Sequence, residues 1–232
     1  MKRLFAVLVL SSLPCFAQVF YTTIDLQPNA NRRLDNLGFP YPSTFPTGNN
    51  VQFTGIPFYI PFNGNNVWLS DDIGTGNPIK ATWSVNISEI VGFYTLINTY
   101  WGTAGGPYAF AVFGFSDSSE YWWPLYGNKD IRDFNPNNWT NQINNTSTVE
   151  VFVSSTGTHG DPRMDMQYFD LQKAGFAGKT LTAFSLYDYG GPMFQRTFLA
   201  GATAASIPEP SSLSLLLAGG AVLMAGRRRK SE

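Results

Sequence analysis

The stretch Tyr108-Ala-Phe-Ala-Val-Phe-Gly-Phe115 alternates between two apolar faces. In an extended strand, successive side chains point to opposite sides of the sheet. The odd positions from 109 to 115 therefore share one face, and the even positions from 110 to 114 share the other. Because both faces are apolar, this stretch is predicted to be a central strand in a layered β-protein.

Eight further stretches show a similar pattern, rich in β-branched and aromatic residues and bounded by Asn, Gly and Pro. They are residues 19–26, 51–60, 79–87, 91–99, 149–154, 164–171, 181–187 and 194–200. Only residues 168–174 have the spacing of a helical turn. Nine short strands separated by turns predict an all-β protein, an antiparallel β-sandwich.

The composition excludes several classes of site. With one Cys and one His in 232 residues, the chain has no disulfide framework, no cysteine-held metal cluster and no site that needs two imidazoles. Between residues 18 and 207 there are 14 acidic residues and 9 Lys or Arg. A mildly acidic body gives a nucleic acid no basic surface to bind, so no nucleic-acid partner is expected.

The N-terminus has the order of a secretory signal peptide. Lys2 and Arg3 precede an apolar run from residue 4 to 13, and small residues at 15 and 17 follow. Signal peptidase is therefore expected to cut between Ala17 and Gln18, which makes 1–17 a signal helix and removes the sole Cys. The alternative is an N-terminal core strand.

The C-terminus combines three ordered features. Pro208, Glu209 and Pro210 precede an apolar run over residues 213–225, and four cations follow, Arg227, Arg228, Arg229 and Lys230. Residues 211–226 would span about 24 Å as a helix, slightly less than a hydrocarbon core of about 30 Å. The cations would hold that end of a short transmembrane helix in the cytoplasm, with the body outside.

This arrangement closely resembles the PEP-CTERM sorting segment of Gram-negative bacteria, over residues 208–232. The resemblance implies recognition by an exosortase, a membrane transpeptidase that cuts near residues 208–210. It also implies that the body is tethered by the C-terminal helix and then reaches the cell surface or the extracellular space. An ordinary tail anchor is the alternative.

The remaining body is predicted to be one domain, residues 18–203, with a linker over 204–207. It loosely resembles jelly-roll domains of the galactose-binding-like type. The resemblance is carried by Ile24-Asp-Leu26, residues 51–58 and 90–97, Phe113-Gly-Phe115, Asp130-Ile-Arg-Asp-Phe134 and residues 179–186. Such domains occur as carbohydrate-binding modules, so the resemblance implies that ligand class.

Four tryptophans are candidate sugar-stacking residues: Trp101, Trp122, Trp123 and Trp139. Exposed aromatic rings offer apolar area at low entropic cost, although core packing alone could account for most of them. Trp122 and Trp123 must point to opposite faces of an extended strand, so one ring could be buried and the other exposed.

Charged motifs are weaker candidates. Asp71 and Asp72 in a Gly-rich turn could hold a structural Ca²⁺, although solvated turn acids are the simpler interpretation, and no other cofactor is expected. Asp130 and Asp133 could suggest a glycosidase pair, but a structural ion pair with Arg132 fits their alternation better. His159 and Asp161 fit a plain loop.

The sequence therefore predicts an exported, non-catalytic surface or matrix protein that is sorted by an exosortase, with exopolysaccharide or biofilm matrix as its setting and carbohydrate as the candidate ligand. Two alternatives stay open: a secreted hydrolase of glycans or esters, and a purely structural coat or adhesion protein.

The mature chain is predicted to begin at Gln18 and to end near residues 208–210. Mass spectrometry of both termini, in cells with and without their exosortase, tests this prediction. The shortened C-terminus should disappear when the exosortase is removed. A C-terminus that still carries Arg227 to Lys230 in both strains would indicate a simple tail anchor.

Overall fold

A computed structural model of the chain describes residues 18–35, 45–70, 78–137, 140–154, 161–190 and 195–207. The expected signal helix, 1–17, and the expected C-terminal helix within 208–232 lie outside these residues. Among the described residues, no helix has the length and apolar character needed to cross a membrane.

The described chain forms strands joined by turns. The strands are β1 (Phe20–Ile24), β2 (Gly48–Phe53), β3 (Ile56–Ile60), β4 (Trp68–Leu69), β5 (Ile79–Ile87), β6 (Ile90–Tyr100), β7 (Gly105–Phe115), β8 (Glu120–Gly127), β9 (Thr148–Val153), β10 (Arg163–Phe169), β11 (Leu181–Asp188) and β12 (Arg196–Ser206).

The strands form three sheets. A six-stranded sheet has the order β1-β12-β6-β10-β9, with β4 also paired to β12; a four-stranded sheet has the order β5-β11-β7-β8; and β2 and β3 form a hairpin. Every pairing between these strands is antiparallel. The prediction of an all-β, antiparallel protein is confirmed, while the galactose-binding-like jelly roll stays a prediction.

The larger core lies between the six-stranded and four-stranded sheets. Phe93 of β6 contacts Phe113 of β7 and Phe184 of β11, with ring centroids 5.3 and 4.6 Å apart. These three side chains are completely buried. Because the rings come from both sheets, the two sheets pack face to face across this core.

A second core lies on the opposite face of the six-stranded sheet, under the β2–β3 hairpin. Phe58 of β3 packs there among Leu96 and Phe198, and all three are fully buried. A Cβ at Gly201 would lie 2.9 Å from the Phe58 ring. Glycine at this position therefore lets the hairpin approach β12 closely.

The predicted strand at 79–87 is found with the expected ends, and those at 91–99, 108–115 and 181–187 are found within three residues of theirs. Residues 51–60 instead form part of a hairpin, which turns at Thr54 and Gly55, both with positive φ. Strand β8 was not predicted, since Pro124 interrupts its pattern. Proline is tolerated there because β8 is an edge strand of its sheet.

Residues 204–207 were expected to form a linker, and this expectation is corrected. Strand β12 runs to Ser206 and is buried from Thr197 onward. The Ile207 N–H then donates to the Glu89 carbonyl at 3.0 Å. The small residues Ala204 and Ala205 reflect crowding inside the sheet rather than an open connection.

A buried ion cluster ties together the β10 side of the six-stranded sheet. Arg132 donates to both carboxylate oxygens of Asp165, each at 2.7 Å, and also to Glu150 at 2.7 Å. Asn98 donates a further hydrogen bond to Asp165 at 2.8 Å. The sequence pointed to an ion pair between Arg132 and a neighbour in its own segment. Its partners are instead residues on β9 and β10, because the fold brings those strands alongside.

Asp130 and Asp133 have other roles. Asp130 accepts from the Tyr126 N–H at 3.0 Å, and Asp133 accepts from the N–H groups of Gly102 and Asn135 at 2.9 and 2.7 Å. Both aspartates are buried. They therefore hold the backbone of nearby turns in place, which is a structural use of a carboxylate.

Replacing Arg132 with Met should destabilise the protein by about 3–5 kcal/mol, because Asp165 would keep a buried charge without its main partner. The exposed pair Arg33–Asp35 supplies the matched control, and Arg33→Met should leave the urea midpoint nearly unchanged. Equal midpoints for the two variants would contradict the importance of the buried cluster.

Candidate functional site

The outer face of the four-stranded sheet carries a group of aromatic side chains. In β7 and β11 the core-facing positions Phe113 and Phe184 are fully buried, so the alternate positions point away from the core. Phe110 of β7, Trp122 of β8 and Tyr187 of β11 occupy such positions, and Tyr189 follows directly after β11. We call Phe110, Trp122, Tyr187 and Tyr189 the aromatic face.

The rings of the aromatic face contact each other across three strands. The Trp122 centroid lies 4.8 Å from that of Tyr187 and 6.0 Å from that of Phe110. Phe110 and Tyr189 are 5.7 Å apart. Trp122 is opposite Val112 in the register of β7 and β8, and Val112 is only 4% exposed. The indole therefore lies across β7 and reaches β11.

Polar groups border the aromatic face. The Trp122 indole N–H donates to Glu120 at 3.0 Å, and the Lys80 ammonium lies 4.8 Å from the centre of the Tyr187 ring. The hydroxyls of Thr82 and Ser185 are 2.8 Å apart on the same side of the sheet. Hydrogen-bonding groups thus stand on two sides of the rings.

The aromatic face is accessible to a ligand. Trp122 is 40% exposed and Tyr189 is 46% exposed. The Trp122 ring is held on a strand paired to β7 and packs against Tyr187 and Phe110, so little ordering is needed when a ligand binds. Such a surface can stack against the apolar face of a sugar ring while the nearby polar groups bind its hydroxyls.

The described tryptophans among the four that were predicted to stack on sugars do not lie together in the structure. Trp123 is partly buried and packs against the larger core, where its ring centroid is 5.3 Å from that of Phe169. Trp101 follows β6 in the other sheet, is 40% exposed and has a left-handed φ of 54°. Its ring meets Tyr100 edge-on at 5.8 Å. Trp139 lies outside the described residues.

Several predicted sites also lie outside the described residues: Asp71, Asp72, His159, Ala17, Pro208, Glu209, Pro210 and Arg227 to Lys230. Gln18 is described, and it is exposed just before β1. In the part of the chain that the structure describes, no three His, Cys, Asp or Glu side chains come together as metal ligands. The calcium site therefore stays a prediction.

Sequence reasoning missed Phe110, Tyr187, Tyr189 and Lys80 as members of the site. For Phe110 and Tyr187 the signal was the alternation in residues 108–115 and 181–188, which places these two aromatic residues opposite the core positions. The sequence does not show, however, that β7, β8 and β11 are neighbours. That pairing is needed to bring the rings together.

Two buried carboxylates outside the aromatic face, those of Asp165 and Asp188, each accept several hydrogen bonds. Asp188 accepts from the Ser70 hydroxyl at 2.6 Å and from the N–H groups of Gly190 and Thr197. Burial raises the pKa of the Asp188 carboxyl, and these hydrogen bonds oppose the rise. Asp165 is likewise held by Arg132 and Asn98. Both acids have the partners expected of structural groups.

A second cluster of aromatic rings lies on the six-stranded sheet. The ring centroid of Tyr94 is 4.7 Å from that of Tyr168 and 6.2 Å from that of Tyr21. Burial raises the pKa of Tyr94 to about 12, and the neighbouring tyrosines add to the rise. Its phenol therefore stays protonated at neutral pH. A Cβ at Gly92 would clash with Tyr168 at 2.5 Å, so the packing there is tight.

Residues 206–230 match the PEP-CTERM protein-sorting motif. The motif implies an exported, surface-associated protein that is processed by an exosortase. It covers the C-terminal end of the chain and leaves the β-body to be interpreted from its own structure. No curated protein and no solved structure significantly matches the chain.

Adjacent tryptophans should respond differently to removal. Trp123→Ala should lower the free energy of unfolding by about 2–3 kcal/mol, because its partly buried ring packs against Phe169 and the larger core. Trp122→Ala should cost about 1 kcal/mol, since it loses only ring contacts at an exposed surface. Urea denaturation of both variants measures the difference. Equal losses would contradict the assignment of Trp122 to the outer face.

Proposed function

We propose that this exosortase-sorted surface protein is non-catalytic and binds carbohydrate through its aromatic face. The observation that carries this proposal is the contact of Trp122 with Tyr187 and Phe110 on the exposed side of a four-stranded sheet. The clustered rings offer sugar rings an apolar surface, and Glu120 and Lys80 offer hydrogen bonds at its border.

The net charge of the body indicates which class of carbohydrate it would bind. The body between residues 18 and 207 carries five more acidic than basic side chains. A net negative body repels polyanions at long range and gives no broad cationic surface to bind them. An uncharged polysaccharide is therefore the preferred ligand. Exopolysaccharide of the biofilm matrix is a setting in which an exported surface protein would meet such a polymer.

The non-catalytic part of the proposal is supported by the use of the buried acids. Glycoside hydrolysis needs two carboxyl groups that face the substrate. Asp165 and Asp188 instead accept hydrogen bonds from Arg132, Asn98, Ser70 and backbone N–H groups. Among the described residues at the aromatic face, Glu120 is the one acidic residue that contacts a ring nitrogen. One exposed carboxylate does not make an acid–base pair.

Affinity electrophoresis of the mature protein in gels containing neutral polysaccharides tests the binding. Retardation should be lost in Trp122→Ala and reduced several-fold in Tyr187→Ala, because each variant removes one stacking ring at about 1–2 kcal/mol. Phe62→Ala is the matched control, since Phe62 is 74% exposed in the loop after β3.

Two results would contradict the proposal. If wild-type protein were not retarded by any neutral polysaccharide, the carbohydrate proposal would fail and a structural coat protein would be favoured. If Phe62→Ala lost retardation as much as Trp122→Ala, binding would not depend on the aromatic face.

A further inference from the structure

The sorting motif begins inside the folded body. The matched residues start at Ser206, and Ser206 is 8% exposed. It pairs with Phe20 of β1 on one side and with Ile90 of β6 on the other. Ile207 is still hydrogen-bonded to Glu89. No free chain therefore separates the sheet from Pro208.

The start of β1 and the end of β12 lie at the same end of the six-stranded sheet. Strand β1 pairs antiparallel with the C-terminal half of β12, from Phe20 opposite Ser206 to Ile24 opposite Ala202. Gln18, the expected first residue of the mature chain, is two residues before Phe20. The start of β1 and the end of β12 thus lie side by side.

The surface around these ends includes several exposed groups. Val19 is 39% exposed and Phe20 is 50% exposed, whereas Ile24 at the other end of β1 is buried. The turn at Ser88 and Glu89 joins β5 to β6 beside Ile207. We call this surface, formed by Val19, Phe20, Ser88, Glu89 and Ile207, the junction face.

The expected cleavage site is only a few residues from the sheet, so a sorting enzyme that acts there must come close to this surface. Three residues, 208–210, span at most about 10 Å when fully extended. An enzyme that reacts with the chain there must place its active site within that distance of Ile207. An active site lies within a folded enzyme, so atoms of the enzyme must meet the end of the sheet.

We propose that the junction face is the surface with which the body contacts its exosortase. The exposed ring of Phe20 belongs to the residue that pairs with Ser206 at the end of β12, and it offers the apolar area that protein interfaces use at their centres. The enzyme then meets a folded surface in a fixed orientation, rather than a motif on a flexible tether. This inference rests on the sorting motif and is independent of carbohydrate binding.

The test measures the rate of C-terminal processing of the full chain in cells that contain the exosortase, by pulse-chase and mass spectrometry. Phe20→Glu and Ser88→Trp change the junction face. Phe62→Glu is the control, because Phe62 lies beyond the far end of β1, where Gln27 contacts Asn63. Each variant is made with the native junction and with ten Gly/Ser residues inserted between Ile207 and Pro208.

With the native junction, Phe20→Glu and Ser88→Trp should slow processing several-fold, and Phe62→Glu should not. With the insert, the variants should be processed at the same rate as the unsubstituted chain, because the enzyme no longer has to meet the body. Signal-peptide removal is scored from the N-terminal mass and should be unchanged in every variant.

Two outcomes would overturn the proposal. If both junction-face variants with the native junction were processed as fast as Phe62→Glu, the exosortase would not contact this face. If they were equally slow with and without the insert, the cause would lie in folding or export rather than in contact with the enzyme.

Discussion

The enclosure of strand β12 on all four sides is the constraint on which the rest of the structure depends. One edge of the strand pairs with β6 from Arg196 to Ser206, and the other edge pairs with β4 and β1. One face supplies Leu199, Ala202 and Ala204 to the core between the sheets, and the other supplies Phe198 and Ala200 to the core under the hairpin. Both cores and the first strand of the described body, β1, are thereby connected through β12.

The same enclosure explains why some strands could be predicted from the sequence and why the end of β12 could not. Residues 79–87 face a core on one side, so apolar residues alternate there and the strand is recognisable. Residues 108–115 are apolar on both faces, because one face meets the core and the other carries Phe110 of the aromatic face. Residues 200–206 are crowded on both faces, which selects Ala, Gly and Thr. A run of small residues is equally typical of a linker. Its burial depends on the β2–β3 hairpin, whose position the sequence does not give.

The candidate site illustrates the same limit. Strict alternation correctly predicted that Trp122 and Trp123 point to opposite faces, but it did not tell which ring is exposed. That outcome depends on how β8 pairs with β7, where Val112 lies opposite Trp122. The ion partners of Arg132 could not be predicted for a similar reason. Glu150 and Asp165 are distant from Arg132 in sequence, and the pairing of β9 with β10 brings them together.

The two proposed functions are placed on different sheets, with attachment at the six-stranded sheet and carbohydrate binding on the four-stranded sheet. The six-stranded sheet carries the first and the last strand of the described body, β1 and β12. The four-stranded sheet carries the aromatic face on the side that points away from the shared core, and therefore away from the six-stranded sheet. Since Phe93, Phe113 and Phe184 fill the space between the sheets, the two surfaces cannot overlap. A body attached through the end of β12 would keep Trp122 and Tyr187 on the sheet that takes no part in the attachment, where a polymer can reach them.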